Sequence, residues 1–239
     1  MLMLKKDIRG ICMVPILTFL FTITTWAQIP VKLFDEKDFD AMQFSEFTAN
    51  KRIPKEIYNQ ALIALSYYPE LRDTKIIFRL RKRKTPLASR PRIWSVFKKR
   101  KNRTYIITIS KKLSKQLSSI LFHKLPYNAQ VGVLGHELGH TTYYNTKNTF
   151  QLIGLSFNLL KSRNVDEFEF NTDRICILHG LGYQLYDWST YVRKALHIEE
   201  WRGADDPFPK KDAPLDQRYM NPETIKKYME GNTIYRHTS

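Results

Sequence analysis

Two histidines and a glutamate lie close together in an otherwise apolar stretch, residues 131–140, which reads VGVLGHELGH. His136 and His140 are four residues apart, so in a helix their imidazoles lie one above the other and can bind one metal ion. Zinc accepts such nitrogen ligands, and a catalytic zinc takes three protein ligands plus water. Glu137 can stand beside the ion and take a proton from zinc-bound water. The spacing predicts a zinc site with Glu137 as general base.

Three glycines in the same stretch, Gly132, Gly135 and Gly139, fall on one stripe of the predicted helix. Each glycine costs about 0.5–1 kcal/mol relative to alanine inside a helix. Close approach by another backbone would compensate for that cost. We therefore expect a second helix to pack against this stripe, and specifically the helix that carries the third metal ligand.

The third ligand is expected downstream, in the acidic segment 165–174, which reads VDEFEFNTDR. Glu169 and Asp173 are four residues apart and share one helix face. HExxH followed on a later helix by ExxxD resembles the gluzincin peptidases. EFNTDR is similar to the Glu-x-x-Ala-Asp-Arg segment of the HtpX and CAAX prenyl protease type. The resemblance covers about residues 104–180, and it implies Glu169 as third zinc ligand and Asp173 as the carboxylate that supports a ligand histidine.

The chain also departs from the family pattern. Thr172 stands where the family has alanine, and the family's membrane helices are missing. Glu167 is the rival third ligand, but it lacks an aspartate four residues on and points to another face. Segment 212–218, DAPLDQR, resembles the family's His-Pro-x-x-x-x-Arg segment, which makes Arg218 a candidate transition-state stabiliser, although Asp212 replaces the histidine. Other residues whose chemistry suits that role are Tyr143, Tyr183, His179 and His197.

An α+β fold is expected to position these groups. Residues 75–109 predict a small antiparallel sheet, with strands at 76–81, 93–97 and 105–109 and a hairpin at 98–103. Apolar periodicity predicts helices at 53–68, 113–123, 128–144, 149–162, 165–180 and 183–197, and a short last helix from residue 221. The HExxH motif lies on helix 128–144. We expect one zincin-like metallopeptidase domain.

Strand 104–109 precedes the HExxH helix in the chain. In gluzincin peptidases a strand in that position borders the active site, so the resemblance implies the same role here. An edge strand offers unpaired N–H and C=O groups that an extended peptide can bind. We therefore expect strand 104–109 at the sheet edge, along the cleft above His136.

The first 27 residues predict an export signal. Lys5, Lys6 and Arg9 precede an apolar run at 11–23, and small residues at 25 and 27 form a cleavage site. An uncleaved membrane anchor is the competing interpretation, but the run is short for a span of about 20 residues. The expected mature domain is 28–239, located in the periplasm or outside the cell. It keeps only Cys176, which by default is a small buried hydrophobe.

Basic residues dominate the middle of the chain. The net charge is +16, and 17 lysines and arginines but no acidic residue lie between Asp73 and Glu137. Such a stretch favours an anionic partner. Export and the lack of an aromatic-interleaved motif argue against nucleic acid. An anionic membrane surface, a cell-wall polymer or an acidic protein segment fits better.

Three classes of function follow from these features. The first is an exported zinc-dependent endopeptidase that hydrolyses peptides or proteins with a zinc-bound water activated by Glu137. The second is a catalytically silent, zinc-stabilised envelope-binding protein. The third is a basic adhesion module in which the HELGH string is incidental. The intact Glu137 favours the enzyme, since a purely structural site needs no base.

Overall fold

The computed structural model describes residues 29–40, 42–199, 203–205 and 218–236. The predicted export signal at 1–27 and Asp212 lie outside these residues. The described chain is α+β, as expected from the sequence, with helices packed against a four-stranded sheet. The strands are β1 (Lys51–Arg52), β2 (Lys75–Arg81), β3 (Leu87–Pro91) and β4 (Thr104–Ser110). The helices are α1 (Tyr58–Ser66), α2 (Tyr127–Thr146), α3 (Thr149–Asn158), α4 (Ser162–Leu178), α5 (Gly182–Leu196) and α6 (Pro222–Glu230). Within these ranges no helix combines the length and the apolar character that crossing a membrane requires.

The sheet is mixed, so the prediction of an antiparallel sheet was wrong. Its order is β1-β2-β4-β3, in which β1 and β2 as well as β2 and β4 are parallel, and only β3 and β4 are antiparallel. The parallel step from β1 to β2 has a physical basis in α1, which connects the two strands as a crossover helix.

Strand β3 was missed by the sequence analysis. Its sequence, LASRP, contains alanine, serine and proline, which are weak strand formers, and proline is tolerated only at an edge position such as this one. The strand predicted at 93–97 is instead a short 3-10 turn at Ile93–Ser95, so segment 98–103 is not a hairpin. Likewise, the helix predicted at 113–123 is replaced by 3-10 turns at Lys115–Ile120 and Phe122–Lys124.

The expectation that strand 104–109 borders the cleft as an edge strand was also wrong. β4 is central, paired with β2 on one side and β3 on the other. All its residues after Thr104 are buried. The near-continuous apolar run TYIITIS is typical of a strand covered on both faces. The edge position belongs to β3.

Helix α2 lies at the centre of the molecule, packed against α1, α4, α5 and β3. Glycines permit that packing, as the sequence indicated. A Cβ at Gly132 would come within 2.1 Å of the Gln184 carbonyl oxygen on α5, and one at Gly139 within 3.2 Å of the Thr172 carbonyl oxygen on α4. The backbone that comes closest is therefore that of α5. The predicted ligand helix, α4, contacts the other two glycines, Gly135 through the Cys176 side chain and Gly139 through Thr172.

Candidate metal centre

Helix α2 buries its three motif side chains in the middle of the fold. His136 is 2% exposed, Glu137 5% and His140 6%. The two imidazole rings lie 4.7 Å apart between centroids and almost perpendicular to each other. One turn of helix separates the two residues, so both rings reach the same side of α2.

Helix α4 adds a carboxylate to this pair. Glu169 Oε2 lies 3.1 Å from His136 Nε2 and 3.2 Å from His140 Nε2. The three residues form a group whose potential ligand atoms all lie within 4.8 Å of one another, and which could hold a metal ion. Donors about 2.0–2.1 Å from a tetrahedral zinc lie about 3.3 Å apart, close to the separations found here.

Both histidines are held by hydrogen bonds from their other ring nitrogen. His136 Nδ1 lies 2.7 Å from Asp173 Oδ1, and His140 Nδ1 lies 3.0 Å from Thr172 Oγ1. Because the Thr172 hydroxyl donates to the Phe168 carbonyl, it accepts a hydrogen bond from His140. Acceptors at both Nδ1 atoms fix the tautomers that leave each Nε2 lone pair free for a ligand bond.

Asp173 also fixes a second segment of the chain. Its side chain is 1% exposed, and its Oδ2 accepts a hydrogen bond of 2.8 Å from the Met220 backbone N–H. One carboxylate therefore orients His136 and anchors the segment that follows Arg218. This places Tyr219 beside the site, with its ring centroid 5.7 Å from that of His136.

Glu137 has one oxygen without a partner. The Ser89 backbone N–H donates to its carboxylate, but Oε2 is buried and accepts no hydrogen bond from the described residues. Burial raises the pKa of Glu137, and the neighbouring histidines only partly offset that rise. A buried carboxylate oxygen without a donor, next to three converging ligand atoms, fits a site completed by a cation and its water.

The histidines and Glu169 interact strongly in the metal-free chain. Burial opposes the charge on His136, but hydrogen bonds to Asp173 and Glu169 raise its pKa well above the usual value. Burial opposes the charge on Glu169 too, yet His140 and His136 lower its pKa. A metal ion would replace the His136 proton, because a ligand imidazole must be deprotonated.

An open cavity of about 350 Å³ leads to this group. Its lining includes segment 85–89, which contains the start of β3, and the aromatic residues Trp188, Phe168 and Tyr219. Two guanidinium groups, Arg83 and Arg218, lie at the cavity wall. The cavity therefore brings together the candidate metal ligands, the edge strand β3 and two arginines.

The structure separates the sequence candidates. Arg218 lines the cavity, with its Nε 3.3 Å from Asp166 Oδ1. Glu167 faces a different cleft, beside Asn164 and Asn171. Cys176 is fully buried against α2, as its default interpretation predicted. The four residues considered as alternative stabilisers are not among those lining the cavity: Tyr143, Tyr183, His179 and His197.

Tyr219 and Thr172 are the site residues that sequence reasoning missed. Tyr219 directly follows Arg218, so the weak DAPLDQR match ends one residue before it, and both side chains line the cavity. Thr172 was treated as a departure from a family alanine, whereas in the structure its hydroxyl holds His140. A threonine on a helix can donate its hydroxyl to the carbonyl four residues earlier, here that of Phe168, and its oxygen can then accept from a neighbouring side chain. That preference was the available sequence signal for Thr172.

Comparisons with known proteins add no relative. The chain matches no protein-family model, and neither the curated proteins nor the solved structures yielded a match. The gluzincin pattern is therefore carried by the sequence motifs alone, beside a His/His/Glu group that could hold a metal ion.

Proposed function

We propose that this chain is an exported zinc-dependent endopeptidase of zincin-like architecture. One observation carries the proposal: Nε2 of His136, Nε2 of His140 and Oε2 of Glu169 converge beside the unpartnered Oε2 of Glu137. A structural metal site needs the first three groups only. The fourth, a buried carboxylate oxygen of a residue that lines the same cavity, adds a base where hydrolysis needs one.

A bound zinc would act as a Lewis acid and lower the pKa of water at the site. Glu137 receives the proton at Oε2 and returns it to the leaving amine, which its buried position between α2 and β3 permits. Asp173 and Thr172 keep the two imidazoles in their ligand orientation throughout. Each of these roles belongs to a side chain already held in place in the described fold.

Tyr219 is the donor that stabilises the developing oxyanion. Although the residue as a whole is 38% exposed, burial of its phenol and the carboxylates of Glu169 and Glu137 raise its pKa well above the usual value, so the phenol stays protonated and can donate. Tyr219→Phe is expected to lower kcat by about 10²–10³, the usual loss for one oxyanion donor, with zinc content unchanged. Tyr143→Phe, a tyrosine outside the cavity, serves as the matched control and should leave kcat intact.

The substrate binds as an extended strand along the free edge of β3. Arg92 N donates to Thr104 O, and Ser110 N donates to Pro86 O. Because antiparallel pairs alternate, the main-chain groups of Leu87 and Ser89 point away from β4. Ser89 N–H already binds Glu137, which leaves Leu87 at the cavity wall to pair with a peptide.

The positive groups at the cavity wall favour acidic residues in the substrate. Arg83 and Arg218 both line the cavity, and the wider stretch between Asp73 and Glu137 has no acidic residue. An exposed charge attraction of this kind weakens as salt is added. Cleavage of acidic peptides is therefore expected to fall between low and high salt, while cleavage of neutral peptides hardly changes.

The test is a peptide-library digest with zinc-loaded wild type and Glu137→Gln, with bound zinc measured in both. The wild type should cleave peptides, and the variant should keep its zinc while losing nearly all hydrolysis. Glu167→Gln, a carboxylate on α4 that faces a different cleft, is the matched control and should cleave normally. A wild type that binds zinc but cleaves nothing would establish the silent binding protein instead, and equal cleavage by Glu137→Gln would remove Glu137 as the base.

A further inference from the structure

Helix α3 contains no charged residue, although 26% of all residues are charged. Helix α1 also lacks charge, but most of its residues are buried, whereas α3 has only one buried residue. Its inner side packs on the fold through Leu152, which is buried, and Leu155. Its outer side is apolar as well, with Phe150 85% exposed and Phe157 68% exposed. A helix that is apolar on both sides is normally covered on both sides. The outer side of α3 therefore lacks a cover among the described residues.

A second apolar segment continues this surface. Ile93, Trp94 and Phe97 are all more than 60% exposed, and Ile93 and Phe97 line a cleft together with α3 residues. Buried Arg103 joins the two segments by donating to the Lys147 carbonyl and to Thr149 Oγ1. Thr149 Oγ1 in turn donates to the Val96 carbonyl, so segment 93–97 and the start of α3 are tied to each other.

Basic side chains adjoin this apolar surface. Lys98, Lys99, Arg100 and Lys101 follow Phe97 directly, and all four are exposed. We call the combined set of residues 93–101 with the outer side of α3 the docking surface. Large exposed apolar patches mark interaction sites. Aromatic side chains beside a lysine and arginine cluster are the composition of a membrane-surface anchor.

We propose that the docking surface binds the protein peripherally to an anionic lipid bilayer. Trp94, Phe97, Phe150 and Phe157 enter the headgroup region, and the cluster at 98–101 contacts the lipid phosphates. The charge of the cluster at 98–101 favours a bilayer over a second copy of the chain as the binding partner of this surface. Two copies meeting at this surface would bring eight like charges together, four from each cluster, whereas an anionic bilayer neutralises them.

The docking surface adjoins the candidate metal centre. Tyr144 and Leu159 line both the apolar cleft between α3 and segment 93–97 and the cavity that leads to His136. Docking therefore places the mouth of that cavity close to the bilayer. Lipid binding itself does not depend on the proposed hydrolysis, because none of the docking residues belongs to the metal group.

Vesicle co-sedimentation tests this surface directly. The chain beginning at Gln28 retains every described element, and it is mixed with vesicles of phosphatidylcholine alone or with about 30% phosphatidylglycerol. The apolar variant is Trp94→Ser/Phe150→Ser/Phe157→Ser, and the charge variant is Lys98→Glu/Lys99→Glu/Lys101→Glu. Wild type should bind the anionic vesicles at least tenfold more tightly than the neutral ones. Each variant should lose at least tenfold.

Matched controls carry equivalent changes elsewhere. Leu33→Ser/Leu178→Ser replaces two exposed apolar residues, and Lys226→Glu/Lys227→Glu reverses two exposed charges on α6. Both controls should bind like wild type, and thermal unfolding should show that all variants are folded. Three results would overturn the proposal: no binding to anionic vesicles, equal binding to neutral vesicles, or a surface-dependent dimer that leaves the lipid unbound.

Discussion

Asp173→Asn tests the candidate metal centre with a small change, because it replaces one carboxylate oxygen by NH₂ at a residue that accepts two hydrogen bonds. Asp173 accepts from His136 through Oδ1 and from the Met220 backbone N–H through Oδ2. Asparagine has one oxygen, so its NH₂ group must face one of the two donors. If NH₂ faces His136, the ring must accept at Nδ1 and carry its proton on Nε2, which blocks the ligand atom. If NH₂ faces Met220, the segment carrying Tyr219 loses one of its hydrogen bonds to the rest of the fold.

The magnitude follows from these two contacts. Loss of a carboxylate that supports a ligand histidine typically weakens metal binding about 10–100-fold. That corresponds to about 1.4–2.7 kcal/mol of binding free energy. Where the NH₂ group faces the Met220 N–H, one buried donor is left facing another, so the free energy of unfolding of the metal-free chain should fall by about 1–3 kcal/mol.

Zinc affinity is measured by competition with a chromogenic chelator, and stability by urea unfolding of the metal-free chain. Asp187→Asn is the matched control, because Asp187 accepts from Asn128 and touches none of the metal group. It should leave zinc affinity unchanged. An Asp173→Asn protein with wild-type zinc affinity and wild-type stability would refute the assignment of Asp173 as the residue that orients His136.

Three further predictions test the packing, the thiol and the sheet edge. Gly132→Ala places a Cβ 2.1 Å from the Gln184 carbonyl oxygen, so it should lower the free energy of unfolding by about 3 kcal/mol and Tm by about 6–12 °C. Gly154→Ala is the control: nothing lies within 4 Å of its Cβ, so it should raise the free energy of unfolding by up to about 1 kcal/mol. Cys176 is fully buried and burial raises its pKa, so a thiol reagent should label it only after unfolding; rapid labelling of the native chain would contradict its buried position. Leu87→Pro removes a free-edge N–H and should raise KM severalfold more than Leu87→Ala does; equal KM values would mean that the N–H binds no substrate.

The sequence predicted the long elements better than the sheet. The predicted spans of helices α2, α4 and α5 overlap the observed ones closely. Apolar periodicity is clear in α4 and α5, whereas α2 has little periodicity because it is buried over most of its length. Strand order could not be read, because pairing depends on contacts distant in sequence. β3 escaped detection because LASRP has weak local strand preference and gains its conformation from pairing with β4. The same error moved the expected cleft edge from β3 to β4.

The part of the candidate site that lies on helices α2 and α4 could be predicted, because spacing along a helix decides which side chains share a face. The spacing of four residues between His136 and His140, and between Glu169 and Asp173, was enough to anticipate which side chains share a face. Spacing along one helix does not reveal what a separate segment brings beside it. Tyr219 lies beside His136 in a segment that is tied to Asp173 through Met220, a contact across 47 residues, and to Ala204 through its own carbonyl.

Elemental analysis of the chain beginning at Gln28, after removal of loosely bound metal, tests the proposed zinc site directly. The convergence of His136, His140 and Glu169 predicts close to one zinc per chain in wild type and far less than one after His136→Ala, His140→Ala or Glu169→Ala. Full zinc occupancy in all three variants, or no zinc in wild type supplied with it, would contradict the account.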